Sequence, residues 1–101
     1  MSETITIERI SDAQGGEYRA IVPGSDHVGL MTWRQVGTAG DDVRLVDHTL
    51  VPSEIGGRGI AAQLVQALVA DAREQGFHVI PQCSYVVAQF KRHPEWADLT
   101  A

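Results

Sequence analysis

Cysteine is almost absent from these 101 residues. Cys83 stands alone, so no internal disulfide can form, and a reducing compartment is the expectation. Positive charge is also scarce: 8 Lys and Arg against 13 Asp and Glu leave a net charge of −5. That balance excludes a protein whose affinity rests on neutralising the phosphates of a nucleic acid, and it mildly favours cationic substrates. No apolar run approaches the roughly 20 residues that a membrane-spanning helix needs, so no membrane partner is expected. "MSETITIERI" at the N-terminus has neither the basic flank nor the apolar core of a secretory leader, which points to a cytoplasmic protein. One Cys and four His at no ligand spacing provide no metal set. Repeats, linkers and low-complexity tracts are missing too, so residues 1–101 are expected to form one domain around one core. What remains is ordinary for a globular chain, with 44% hydrophobic and 21% charged residues.

Hydrophobic period and turn residues give the layout. "TITIERI" (4–10) alternates Ile5 and Ile7 with polar neighbours and predicts a strand. "DAQGGE" interrupts it, and "EYRAIV" (17–22) resumes, making a hairpin with a longer loop. "HVGLMTWRQV" (27–36) and "VRLVDHTLV" (43–51) supply two more strands, separated by the turn "GTAGDD" and closed by Pro52. Short turns between four strands predict an antiparallel meander. From about Gly59 to Gln75, Ile60, Leu64, Leu68 and Ala72 recur at helical spacing beside Ala61 and Val65. Gln63, Gln66, Arg73 and Glu74 fall on the other face, the stretch "DAREQ" reads as solvated, and Gly76 supplies a left-handed stop. "FHVIP" (77–81) is a fifth strand, expected to run parallel to the fourth because a helix joins them. "SYVVAQFKRH" (84–93) is a second helix, with Ser84 as its expected N-cap and Pro94 ending it. Trp96 anchors the tail, and Trp33 is expected in the core. The fold class is α+β, strands first and helices last.

The start of the long helix is unusual. Gly56, Gly57 and Gly59 precede it, Ala61 follows, and no Ser, Thr, Asp or Asn stands directly before the apolar run to cap the free N–H groups. A bare helix N-terminus after a glycine turn favours an anion, since the N–H groups and the helix dipole both attract phosphate and the glycines allow close approach. Arg58 adds a positive charge. The pattern lacks the Gly-Lys-Ser/Thr ending of a Walker loop and the spacing of a dinucleotide fingerprint. The residues alone leave open the plainer reading, a turn whose donors bind water.

The stretch "HTLVPSEIGGRGIAAQLVQALVADAREQG…IPQCSYVVAQFKRHPEWADL" resembles the minimal branch of the GNAT superfamily of N-acetyltransferases. The resemblance covers about half the chain, and the first 40 residues share only the strand order. It implies a GNAT-like fold whose fourth and fifth strands run parallel and splay around acetyl-coenzyme A. It also implies acetyl transfer to an amine such as a polyamine, a small amine or an exposed protein amine. The superfamily's Gln/Arg-x-x-Gly-x-Gly/Ala turn falls on Gly56 to Ala61 and matches at Gly59, Ile60 and Ala61. Gly56 replaces the leading Gln/Arg, so the pyrophosphate would rely on Gly57, Arg58, Gly59, Ile60, Ala61 and Ala62. "VDHTLV", ending at Val51, corresponds to the strand that holds the pantetheine arm. Phe90 stands where larger relatives carry a tyrosine that protonates the leaving thiolate, so any proton donor must lie elsewhere.

The catalytic candidates are Cys83, His48 and Tyr85, with His93 a further titratable group. Cys83 follows the fifth strand at the start of a helix, where the dipole lowers a thiol's pKa. It is expected to accept the acetyl group, to shape the acyl pocket, or to be a small core residue. Tyr85 could lend a hydroxyl or pack in the core. His48 could take a proton from the amine, and strict strand alternation places it opposite Asp47 and Thr49. His93 complements a helix C-terminus, while His27 and His78 read as surface residues. Two other classes stand beside the enzyme: a coenzyme A-binding module with little or no catalysis, and an interaction domain.

Overall fold

The structure, a computed structural model, describes residues 4–38 and 40–101. The leader reading of residues 1–3 and the Ala39 position of the turn at 37–42 lie outside them. Five strands form one sheet in the order β1-β2-β3-β4-β5: β1 Thr6–Ser11, β2 Gly15–Ile21, β3 Val28–Gln35, β4 Val43–Leu50 and β5 His78–Pro81. The first four pair antiparallel as a meander, and β5 pairs parallel to β4. The crossover between them is helix α1, Ile60–Gln75. Helix α2, Ser84–Arg92, follows β5, and a 3₁₀ turn over Pro94–Leu99 leads to the end.

One face of the sheet carries the core. Tyr18, Ala20, Gly29, Met31, Trp33 and Val46 face inward and are buried beneath Ile60, Leu64, Val65 and Leu68 of α1. Gly29 makes this contact possible: a Cβ there would stand 2.7 Å from Ile60 Cγ2 and 3.3 Å from Ala20 Cβ. Helix α1 ends as expected, with Gly76 left-handed at φ 80° and its N–H donating to the Ala72 carbonyl at 2.9 Å. Arg44 closes the far end of the core, its guanidinium 4.1 Å from the ring centre of Trp33 and 3.8 Å from that of Phe77. Trp96 is buried, meets Phe90 edge-on at 5.3 Å and stacks on His93 at 4.0 Å, anchoring the tail.

Several expectations change. The first hairpin loop is short rather than long, because Gly15 and Gly16 belong to β2. Both lie against Trp33, where a Cβ would stand 2.5 Å from the Trp33 carbonyl oxygen or 2.9 Å from its ring. The turn itself is set by Asp12, whose Oδ1 accepts from the N–H groups of Gln14 (2.8 Å) and Gly15 (3.1 Å). Cys83, not Ser84, is the N-cap of α2, and it makes no side-chain capping bond. "DAREQ" is not wholly solvated: Asp71 is buried, accepting from Tyr18 Oη at 2.8 Å and pairing with Arg9 Nε at 2.7 Å. It lies three residues after Leu68, on the apolar stripe, and the two partners satisfy a carboxylate that could not otherwise be there.

The strict alternation expected of β4 fails at Asp47. Thr32 pairs with His48 but Trp33 pairs with Val46, so Asp47 is an extra residue, a β-bulge. Beyond it the faces exchange. Thr49, opposite Met31, turns inward, while His48, opposite Thr32, turns outward. Asp47 is also outward, accepting from Thr32 Oγ1 at 2.7 Å and pairing with Arg34 Nε at 3.3 Å. His48 and Asp47 therefore share a face, and Thr49 alone lies on the other.

Candidate functional site

Strands β4 and β5 are paired only from Val43–His78 to Val46–Pro81, and β4 continues to Leu50. Two local causes end the ladder. Pro81 has no N–H to donate, and the N–H groups of Gln82 and Cys83 both converge on the Val46 carbonyl at 3.0 Å. The chain thereby turns off the strand direction and enters α2, and the bulge at Asp47 adds a bend in β4. The strands part at this point.

The parting brings Cys83 to Thr49. The thiol donates to Thr49 Oγ1 at 3.5 Å, and the residue is half-buried. Burial by itself pushes the Cys83 pKa up, but the Thr49 hydroxyl and the nearby N–H groups of Val86, Tyr85 and Thr49, which favour the ionised thiolate, outweigh it. The net direction is below an ordinary thiol, as a position at a helix N-terminus leads one to expect. Thr49 was not legible as a site residue, because only the bulge turns it toward Cys83.

After β4 the chain passes through Val51 and Pro52 into a 3₁₀ turn, Ser53–Ile55, that buries Ile55. Gly57 (φ 76°) and Gly59 (φ 70°) then take left-handed conformations open to glycine at little cost. Gly59 is the N-cap of α1 and its carbonyl accepts from Gln63 N–H at 3.1 Å, but no side chain caps the helix and no acidic residue lies in its first turn. A Cβ at either glycine would meet nothing within 4 Å, so the backbone here borders open space. A cleft of about 220 Å³ lies against this turn. Val51, Gly57, Gly59, Ile60, Ala61 and Ala62, all singled out from sequence, line it together with Ile55, Gly56 and Tyr85. Arg58 is exposed on the same turn and is not among the lining residues.

Of the catalytic candidates, Tyr85 reaches this cleft and Cys83 sits two residues before it in the chain, against Thr49. His48 is exposed on the opposite face of β4. Phe90 is packed against the core, and His93 pairs with Glu95 at 3.0 Å. His27 and His78 are exposed. No group of three or more His, Cys, Asp or Glu among the described residues is placed to hold a metal ion. No helix among them is long and apolar enough to cross a membrane.

A strand pair that parts beside a glycine turn and an uncapped helix is the arrangement that the resemblance to the GNAT superfamily implies. The profile of the GCN5-related N-acetyl-transferase family matches residues 17–99, and the chain belongs to that family. A GCN5-like protein of Staphylococcus aureus, solved by NMR, superposes with a TM-score of 0.66 at 23% identity, over 93% of this chain and 87% of that one. The ribosomal-protein-alanine N-acetyltransferase of Brucella melitensis biovar Abortus superposes with a TM-score of 0.62 at 22% identity, over 89% of this chain. The match spans 64% of that longer protein. Both likenesses bear on the fold. Family membership makes the protein an N-acetyltransferase by class.

Proposed function

We propose that the protein transfers an acetyl group from acetyl-coenzyme A to an amine. The observation that carries this reading is the cleft against the uncapped start of α1, where a backbone free of capping side chains borders open space. The pyrophosphate lies on the N–H groups of residues 57–62, with Arg58 adding charge at the rim. The pantetheine arm runs past Val51 along the unpaired end of β4, which brings the thioester toward Thr49 and Cys83. There the amine nitrogen attacks the thioester carbonyl, the carbon–sulfur bond breaks, and coenzyme A leaves as a thiolate. The amine gives up one proton to His48 or to water, and the thiolate takes one from Tyr85 or from water. Cys83 shapes the acyl end of the cleft.

Calorimetric titration with coenzyme A tests the binding half. Gly59→Val should fold and lose most of its affinity, because a β-branched residue resists φ 70° and covers the N–H groups. Unchanged affinity would remove the glycine turn from the site. Turnover of Cys83→Ala tests the chemical half: it should retain most of the rate. An inactive Cys83→Ala, with a mass-spectrometric acetyl adduct on Cys83 of the parent protein, would instead establish a thioester intermediate. Coenzyme A binding without turnover of any amine would favour a binding module, a reading to which Gly56 and Phe90 at their positions lend support.

A further inference from the structure

Among the described residues, no helix covers the outer face of the sheet. None of the outward side chains of β1–β4 is buried, in contrast to the inward set. Most of that face is charged or polar, but one part is not. Leu30 pairs with Leu50 across β3 and β4, with Val28 two residues away on the same face. They floor a groove of about 320 Å³ whose walls are Glu17 and Arg19. Leu50 is 52% exposed, a large apolar side chain that the fold leaves uncovered. Glu17 and Arg19 pair with each other, so the walls bring no net charge.

The groove is continuous with the site. His48 lies two residues from Leu50 on the same outward face. Val51, the next residue along, lines the cleft at the glycine turn. Groove and cleft thus lie on opposite sides of the end of β4, where that strand has parted from β5. With the inner side flanked by α2, whose N-cap residue Cys83 meets Thr49, a second reactant can approach the parting from the outer side.

We propose that the acceptor amine is carried on an uncharged apolar body that lies along Val28, Leu30 and Leu50, with its nitrogen at His48. The proposal rests on the acetyl-transfer reading and narrows its acceptor. A polyamine would set a second ammonium on leucine, losing hydration beside a carboxylate, Glu17, that is already paired with Arg19. An alkyl or aromatic amine loses nothing of the kind and buries apolar surface.

The test is an NMR titration of the coenzyme A-bound protein with ethylamine, butylamine, hexylamine and spermidine, beside acetylation rates for the same amines. Methyl shifts should map to Val28, Leu30 and Leu50. Affinity should rise about twofold per methylene, half the effect of complete burial because the groove is open. Leu50→Asp and Leu50→Ser should abolish the chain-length dependence and leave coenzyme A affinity unchanged. Shifts that ignore chain length or map elsewhere would overturn the proposal, as would spermidine binding as tightly as hexylamine. So would a dimer in sedimentation that Leu50→Asp dissolves, since the face would then belong to a second copy of the chain. Chain-length-dependent shifts without acetylated product would overturn acetyl transfer but uphold the groove as a surface for apolar amines.

Discussion

Asp71→Ala should be among the most costly single polar substitutions in this protein. Tyr18 is 2% exposed, and its hydroxyl donates to Asp71 Oδ2 at 2.8 Å. Truncating Asp71 leaves that hydroxyl buried without an acceptor, a penalty of about 1–3 kcal/mol. Arg9, the other partner, has a side chain 46% exposed, so water replaces most of what it loses and the ion pair adds no more than about 1 kcal/mol. The expected loss is about 2–3 kcal/mol, a large part of the roughly 5–15 kcal/mol that holds a domain folded. Urea unfolding at neutral pH measures it. Tyr18→Phe should cost less, and the double variant should be more stable than the sum predicts by about 1–2 kcal/mol, because it has no stranded hydroxyl. Strict additivity would refute the argument. The same pair predicts an alkaline limit. Burial, the hydrogen bond to Asp71 and the nearby carboxylate charge raise the Tyr18 pKa. The folded chain therefore keeps a proton that the unfolded chain releases above about pH 10, so this contribution is full below that pH and stability falls as pH rises past it. Tyr18→Phe should flatten that fall.

Two further outcomes follow from contacts around the site. Gly29→Ala places a methyl 2.7 Å from Ile60 Cγ2, and thermal unfolding should show a loss of about 1–3 kcal/mol from overpacking. Ile60→Leu, which lacks that Cγ2 methyl, should recover part of it; no recovery would mean that the strain lies elsewhere. Because its pKa is depressed, Cys83 should react with iodoacetamide at half-maximal rate at a lower pH than a free thiol. Thr49→Val should move that profile toward higher pH, and an unmoved profile would remove Thr49 from the thiol's environment.

The elements that proved legible are those whose signal is local. Ile60, Leu64, Leu68 and Ala72 at helical spacing, with Gly76 after them, locate α1 from chain order alone, and the observed helix starts one residue after Gly59. The cleft at the glycine turn was legible for the same reason: its lining comes from one short stretch plus Val51 and Tyr85. Gly15 and Gly16 misled because glycine signals a turn, whereas here it relieves crowding against Trp33, a residue distant in sequence. Asp71 misled through its charged neighbours, although its place three residues after Leu68 already set it on the buried stripe. The signal was there, and only the identity of its partners, Arg9 and Tyr18, was not. The bulge at Asp47 left no local trace, since it is a property of how β3 and β4 align.

That bulge governs which chemistry the site favours. With regular alternation from the inward Val46, His48 would point inward beside the cleft and Thr49 outward, and an imidazole could have met the Cys83 thiol on one face. The extra residue reverses both. Thr49 goes in, against Cys83, and His48 goes out, in the row of Thr32. A thiol and an imidazole on opposite faces of a strand are poorly placed for the direct contact by which a base activates a cysteine nucleophile. The Cys83 thiol has its pKa lowered by hydrogen bonds instead, and a thiolate stabilised in that way is a weaker nucleophile than its population suggests. Both effects favour direct attack by the amine over a relay through Cys83. On the proposed approach from the outer face, His48 would be the group an amine meets before the thioester.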